Sequence, residues 1–153
     1  MLQHAPASGS RRGFTLIELL VVVLVIGILA TLLMPRYRTS VLKAQGADVT
    51  TRVEAINVAL KVYEADHQSL PTETSSAGSA PAWLLPYLTA DHFVGPGDVT
   101  FQYVKSSPYT RATLVIAAGD MEERQILLAA AGALGASATL IGGGQSLIVT
   151  LSE

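Results

Sequence analysis

Glu18 is the residue whose type and place demand a chemical account. It is the sole charged residue between Phe14 and Met34. A carboxylate near the centre of an apolar helix costs about 3 kcal/mol on insertion scales. Glu18 lies only four residues past Phe14, so one reading is a side chain that snorkels to headgroup level. The other is that a cation meets it at the same depth. Coulomb attraction would then offset the desolvation of both groups.

No other residues combine into a reactive group. The histidines are His4, His67 and His92, and two of them follow an aspartate, in Asp66-His67 and Asp91-His92. Adjacent residues on a helix do not face each other, and a metal site needs several ligands converging. Asp98 and Asp120 stand alone, without the spacing of a calcium loop. Gly142-Gly143-Gly144-Gln145-Ser146 has no lysine and opens no helix, so it reads as a turn rather than a phosphate loop. There is no Gly-x-Ser-x-Gly elbow. We therefore expect no enzyme, no catalytic residue, no metal and no cofactor. The formal charge of −2 gives no basic face for nucleic acid. Without cysteine, the fold must rest on its core and hydrogen bonds.

The elements that would position Glu18 follow from hydropathy. An unbroken helix from Phe14 to Met34 spans about 30 Å, the thickness of a bilayer core. A removed secretory signal is a poor fit. The small-residue cleavage signal expected after such a run is absent; Ala30-Thr31, the nearest, is buried within it. Pro35 follows, and reads either as a stop or as a kink in a longer helix. The downstream pattern favours the kink. Val49, Val53, Ile56, Leu60 and Tyr63 recur at intervals of four and three, one stripe of a helix. Arg52, Glu54, Asn57, Lys61 and Glu64 fall off it. One helix from Phe14 to about His67 would be roughly 80 Å long. Gly27 and Gly46 weaken it by about 1 kcal/mol each, and Gly27 with Thr31 makes a small-xxx-small pair for another helix. Gln68-Ser69-Leu70-Pro71 ends it.

Thr72 to Pro81 reads as a loop, and Ala82 to Leu88 as an apolar patch with Trp83 as a core plug. Gly95-Pro96-Gly97-Asp98 is a turn. Val99–Val104 and Arg111–Ala117 read as a hairpin across a turn at 105–108. Asp120 and Glu123 form a capping box for a helix from Met121 to Ala133, ended by Gly132 or Gly135. Strands over Ala136–Ile141 and Gln145–Leu151 flank the glycine turn. The fold class is α+β: a long helix, apolar then amphipathic, packed on a small ββαββ sheet region. The helix between strands permits a parallel crossover, which should be right-handed.

Arg11-Arg12-Gly13 followed by Phe14-Thr15-Leu16-Ile17-Glu18 and a long apolar run resembles the class III signal of type IV prepilins and type II secretion pseudopilins. The resemblance implies a cut after Gly13 by a prepilin peptidase, N-methylation of Phe14, and an assembly role for Glu18. It places the helix segment that loses regular hydrogen bonding in the filament at Gly27–Pro35. It divides the chain into a cleaved leader (1–13), a transmembrane and filament-core helix (14–35), the amphipathic half of the same helix (36–68), a connecting loop (69–98) and the ββαββ region (99–153). Loss of Arg11 and Arg12 leaves the mature chain at −4. The implied function is a structural subunit of a type IV-like filament, with a type II secretion pseudopilin preferred over a type IV pilus pilin because the globular region is short and lacks the disulfide loop common in pilins. Implied partners are other copies, related pilin-like subunits, the peptidase, an inner-membrane assembly platform and lipid. The implied location is the inner membrane, single-pass, with the C-terminal region outside the cytoplasm. The ββαββ tail departs from the family's more usual antiparallel meander, and Gln68 or Ser69 stands where the family often has a Gly. The competing reading is a single-span anchor carrying a binding domain that does not assemble.

Overall fold

The computed structural model describes residues 13–106 and 111–151. The leader up to residue 12, with His4 and the basic pair Arg11-Arg12, and the end of the turn after Lys105 lie outside these residues. The elements in order are α1 (Leu16–His67), β1 (Thr100–Ser106), β2 (Arg111–Ala117), α2 (Met121–Leu134), β3 (Ala138–Ile141) and β4 (Ser146–Thr150). Short 3-10 turns occupy Ala82–Leu84, Ala90–Phe93 and Gly135–Ser137. The chain divides into two compact units, Met1–Arg38 and Thr39–Glu153.

In the first unit every described residue is exposed, from Leu16 at 86% to Val25 at 47%. Pro35 lies inside α1, which runs on past it. The stop reading of Pro35 is therefore excluded.

The second unit has one core. Val49, Val53, Ile56 and Leu60 of the expected stripe are buried, with Ala59 beside them. Tyr63 is half-buried. The stripe shares its core with Ile126, Leu127 and Ala130 of α2 and with one face of the sheet. Gly46, a weak point when α1 is taken alone, has a packing reason. A Cβ there would lie 2.7 Å from the Ala129 Cβ and 3.1 Å from the Ala130 backbone nitrogen. Only glycine lets α2 approach so closely.

All strand pairs are antiparallel, in the order β1-β2-β4-β3. Because β4 opposes both neighbours, β2 and β3 run in the same direction with β4 inserted between them. The parallel crossover over α2 thus exists in direction, but no adjacent strands are parallel. Register sets one face inward: Tyr103 opposite Leu114 opposite Val149, and Phe101 opposite Ile116 opposite Leu147. The expected strand ends shift by one or two residues. Val99 precedes β1 yet is buried, and residues 135–137 are spent on a 3-10 turn. The outer edge of β1 is covered by the connecting loop. Ser75 N–H donates to Tyr103 O (3.0 Å), Gly78 N–H to Phe101 O (2.9 Å), and Tyr103 N–H to Ser75 Oγ (2.9 Å).

Trp83 is half-buried, edge-on to Tyr63 and Tyr103 with centroids 5.0 Å away in each case, while Leu84 beside it is fully inside. The capping box at α2 is present as read, and Glu123 does more than cap. Its carboxylate is buried and accepts from the N–H groups of Gly119, Asp120 and Asp98. Asp98 belongs to the turn before β1, so one side chain fixes both the start of α2 and the entry to the sheet. α2 ends at Leu134 with Gly135 at φ +64°. The hairpin turn after β3 takes Gly142, Gly143 and Gly144 at φ +64°, +68° and +90°, a conformation only glycine adopts cheaply.

Two measurements check this core. Leu60→Ala leaves a cavity and lowers unfolding free energy by about 2–5 kcal/mol. Gln68, the one non-glycine described residue with positive φ (56°), sits just after α1. Gln68→Gly therefore raises stability by about 1 kcal/mol. Urea titration of detergent-solubilised protein reads both, and equal midpoints for all three proteins would contradict the packing.

The second check is alkaline. Burial, then the nearby Tyr63 and Glu64, push the Tyr103 phenol up to about 12. The neutral phenol donates to Pro71 O (3.2 Å). Because its folded pKa lies above the unfolded value, this stabilisation is complete below about pH 10 and is lost as pH rises toward 12. Ultraviolet titration should find one tyrosinate forming late, together with unfolding. Tyr103→Phe should remove that late step.

Candidate functional site at the start of the apolar helix

The sequence-derived candidates Gly13, Phe14 and Glu18 are brought together by position at the beginning of α1. Gly13, Phe14 and Thr15 precede the helix, and Leu16 opens it. The Thr15 carbonyl accepts the Leu19 N–H (3.3 Å), which makes Thr15 the N-cap. Glu18 is then the third helical residue.

The two side chains close on each other. Thr15 N–H donates to Glu18 Oε2 (2.9 Å), and the Thr15 hydroxyl donates to the same oxygen (2.8 Å). In return Glu18 N–H donates to Thr15 Oγ1 (3.3 Å). This is a capping box, with two helix N–H groups satisfied reciprocally. The carboxylate also sits at the positive end of the helix dipole. Glu18 is therefore held by its own chain, through Thr15. Sequence reasoning missed Thr15. The signal was present, because Thr-x-x-Glu before an apolar run is the usual spacing of such a box.

Only Oε2 is engaged; Oε1 has no hydrogen-bond partner among the described residues. The site thus offers one carboxylate oxygen fixed by the cap and one open to an incoming donor. Phe14 is 77% exposed, and its aromatic ring is not stacked on another described ring. A Cβ at Gly13 would meet no described atom within 4 Å, so the described residues set no requirement for glycine there.

Further along, Gly27 also has open space around its missing Cβ, and the Thr31 hydroxyl donates to Ile28 O (2.7 Å). Both face outward, with Gly27 and Thr31 exposed. Pro35, the expected kink, lies nineteen residues into α1 from its first residue and takes no part in the Thr15–Glu18 box. His67 and His92 are not brought together: His67 stacks on Tyr63 (4.1 Å between centroids), and His92 bonds to Thr89. Among the described residues, no three of His, Asp and Glu converge as metal ligands.

The site lies on the single described helix long and apolar enough to cross a membrane. Comparison with known proteins gives the same emphasis. The family described as "Prokaryotic N-terminal methylation motif" matches residues 9–34. Type II secretion system core protein G of Escherichia coli (strain K12) is 34% identical over 87 residues, covering 56% of this chain and 60% of the relative. Type IV major pilin protein PilE1 of Neisseria gonorrhoeae is 32% identical over 95 residues, covering 62% of this chain and 50% of the relative. Type II secretion system core protein G of Klebsiella michiganensis is 40% identical over 63 residues, covering 41% of this chain and 44% of the relative. The chain thus spans between about two fifths and three fifths of these relatives' length. No solved structure gives a match. The chain carries the type IV prepilin methylation motif, and its curated relatives are type II secretion core proteins G and type IV pilins.

Proposed function

We propose that this chain is a non-enzymatic structural subunit of a type IV-like filament. It is held in the inner membrane as a single-pass protein with the Thr39–Glu153 unit outside the cytoplasm. A prepilin peptidase cuts between Gly13 and Phe14, and Phe14 is then N-methylated. An inner-membrane platform assembles the subunits helix on helix with other copies and related pilin-like chains. Pro35 allows the helix to adjust near the membrane surface during that step.

The observation that carries this reading is the half-engaged carboxylate of Glu18 at the head of the run from Phe14 to Met34, which is otherwise uncharged and is exposed. Before cleavage the cap satisfies Oε2, and the carboxylate can rest in the membrane. After cleavage Phe14 becomes an amine at the same depth. The amine of an incoming subunit can take the open Oε1, and neither charge is then left unpaired in an apolar core. The exposed run from Phe14 to Met34 supplies the packing surface around that pair.

Between the two filament classes we favour a type II secretion pseudopilin, on the short globular unit and the absence of cysteine. A type IV pilus pilin is the alternative, supported by the similarity to PilE1.

The test has two parts. Gly13→Asp should leave the protein in the membrane at unprocessed mass. Mass spectrometry that finds Met1 still attached to the mature wild-type pool would defeat the prepilin reading. For Glu18, insertion of Glu18→Ala should be unaffected or slightly better, and cleavage should persist. Filament recovery should fall sharply for Glu18→Ala and nearly as far for Glu18→Gln, with Glu18→Asp between. Thr15→Val removes the hydroxyl donor but keeps the backbone N–H, so its loss should be milder than that of Glu18→Ala. Normal filament numbers with both Ala and Gln at 18 would move the assembly mechanism to helix packing around Gly27.

A further inference from the structure

The two edges of the sheet are treated differently. On the β1 edge the connecting loop lies alongside, with the Ser75 and Gly78 N–H groups donating to Tyr103 O and Phe101 O. Residues 74–79 of that loop are uncharged. The other edge is β3, whose one strand neighbour is β4. Bonds at the two ends of β4 fix which groups of β3 face outward. Leu151 N–H donates to Ala112 O, and Ala118 N–H donates to Gln145 O. Odd-numbered residues of β4 therefore turn their backbone groups toward β2, while Ser146 and Ile148 turn theirs toward β3. Their partners there are Ile141 and Thr139. Ala138 and Leu140 consequently point their backbone groups away from β4. Ala138 agrees with this, because its N–H donates to Gly135 O. Left over are Ala138 O and both the N–H and C=O of Leu140. No described residue outside the sheet bonds to them.

Edge strands commonly carry a charge, a proline or a bulge that discourages pairing. β3 reads Ala-Thr-Leu-Ile, and its register with β4 is unbroken. The neutrality extends well beyond it. No residue from Gln125 to Ser152 is charged, in a chain with 10 basic and 12 acidic residues. Thr139 and Ile141 are exposed, while Ala138 and Leu140 are half-buried against the core.

We propose that the open edge of β3 receives an extended, uncharged segment of a partner polypeptide as a fifth strand. The proposal goes beyond the filament reading and does not depend on it. A residue opposite Leu140 exchanges two backbone hydrogen bonds with it, and Ala138 O accepts a third. Backbone bonds supply the affinity, and the side-chain rows supply the selection. An apolar residue is favoured opposite Leu140, with Thr, Ser or Val beside Thr139 and Ile141. A charged residue would find no opposite charge on β3 or β4. The connecting loop on the β1 edge shows the same chemistry, an uncharged extended segment held by its backbone. In a second copy that loop is already spent on its own β1, so the occupant is a different chain. Because β3 has only four residues, the pairing is weak and reversible.

The test uses the full-length protein in lipid nanodiscs and a capped peptide of alternating threonine and valine. Amide exchange is read by NMR. Without peptide, Leu140 N–H should exchange freely, and the Thr139 and Ile141 N–H groups should be protected by the ladder. Saturating peptide should slow Leu140 about tenfold and leave β1 unchanged. The same peptide with methylated valine nitrogens keeps its side chains but loses its donors, and should have no effect. Leu140→Pro removes the outward donor without touching the bonds to β4. It should lose binding of labelled peptide. Unchanged Leu140 exchange on adding peptide would overturn strand addition, whether or not the Pro variant folds. So would equal slowing by the methylated peptide, or full binding by folded Leu140→Pro. Leu140 protection that rises with protein concentration alone would give the edge to a second copy, and would overturn the proposal as well.

Discussion

An apolar helical surface that no described residue of its own unit covers is the constraint around which this protein is built. From Phe14 to Met34 the side chains are about half or more exposed, and the run has no described packing partner in its own unit. Burying a single Leu, Ile or Val side chain is worth about 1.5–3 kcal/mol. A run of this length left in water would drive association or insertion at once. Its cover must be lipid, other helices, or first one and then the other. The Thr15–Glu18 box fits both environments. It satisfies helix N–H groups without help from solvent, and it keeps one carboxylate oxygen free for a partner.

The same helix is treated differently beyond Arg38. There one stripe is committed inward, and the rest of the circumference is polar or exposed. The commitment is tight at Gly46, where the backbone of α2 comes within reach of a missing side chain. It is fixed again at Glu123, whose carboxylate gathers backbone N–H groups from two separate turns. A buried carboxylate with three donors is well satisfied, and removing it would strand all three donors. The unit therefore orients α2 by a glycine on α1 and an acid at the head of α2. That geometry leaves an open groove at the other end of α2, walled by Val53, Glu54 and Asn57 of α1.

The hydropathy pattern alone determined much of this. The long run, the i, i+3, i+4 stripe from Val49 to Leu60, the alternation in β2 and the Asp120–Glu123 box are local signals, and each element formed where its own residues required it. The capping box at Thr15 is equally local, since Thr-x-x-Glu before an apolar run is its spacing. Other features depend on residues far apart in the chain. Nothing near Gly46 in sequence says that Ala129 will arrive beside it. Nothing near Glu123 says that Asp98 will donate to it across 25 positions. Strand order was open for the same reason. A helix between β2 and β3 fixes that the chain crosses over, but the insertion of β4 between them follows from the short glycine turn and from which face must be covered by α1 and α2. The groove belongs wholly to this class. Glu54 and Asn57 read as the solvated side of an amphipathic helix, and only the packed end of α2 turns that side into the wall of a cavity.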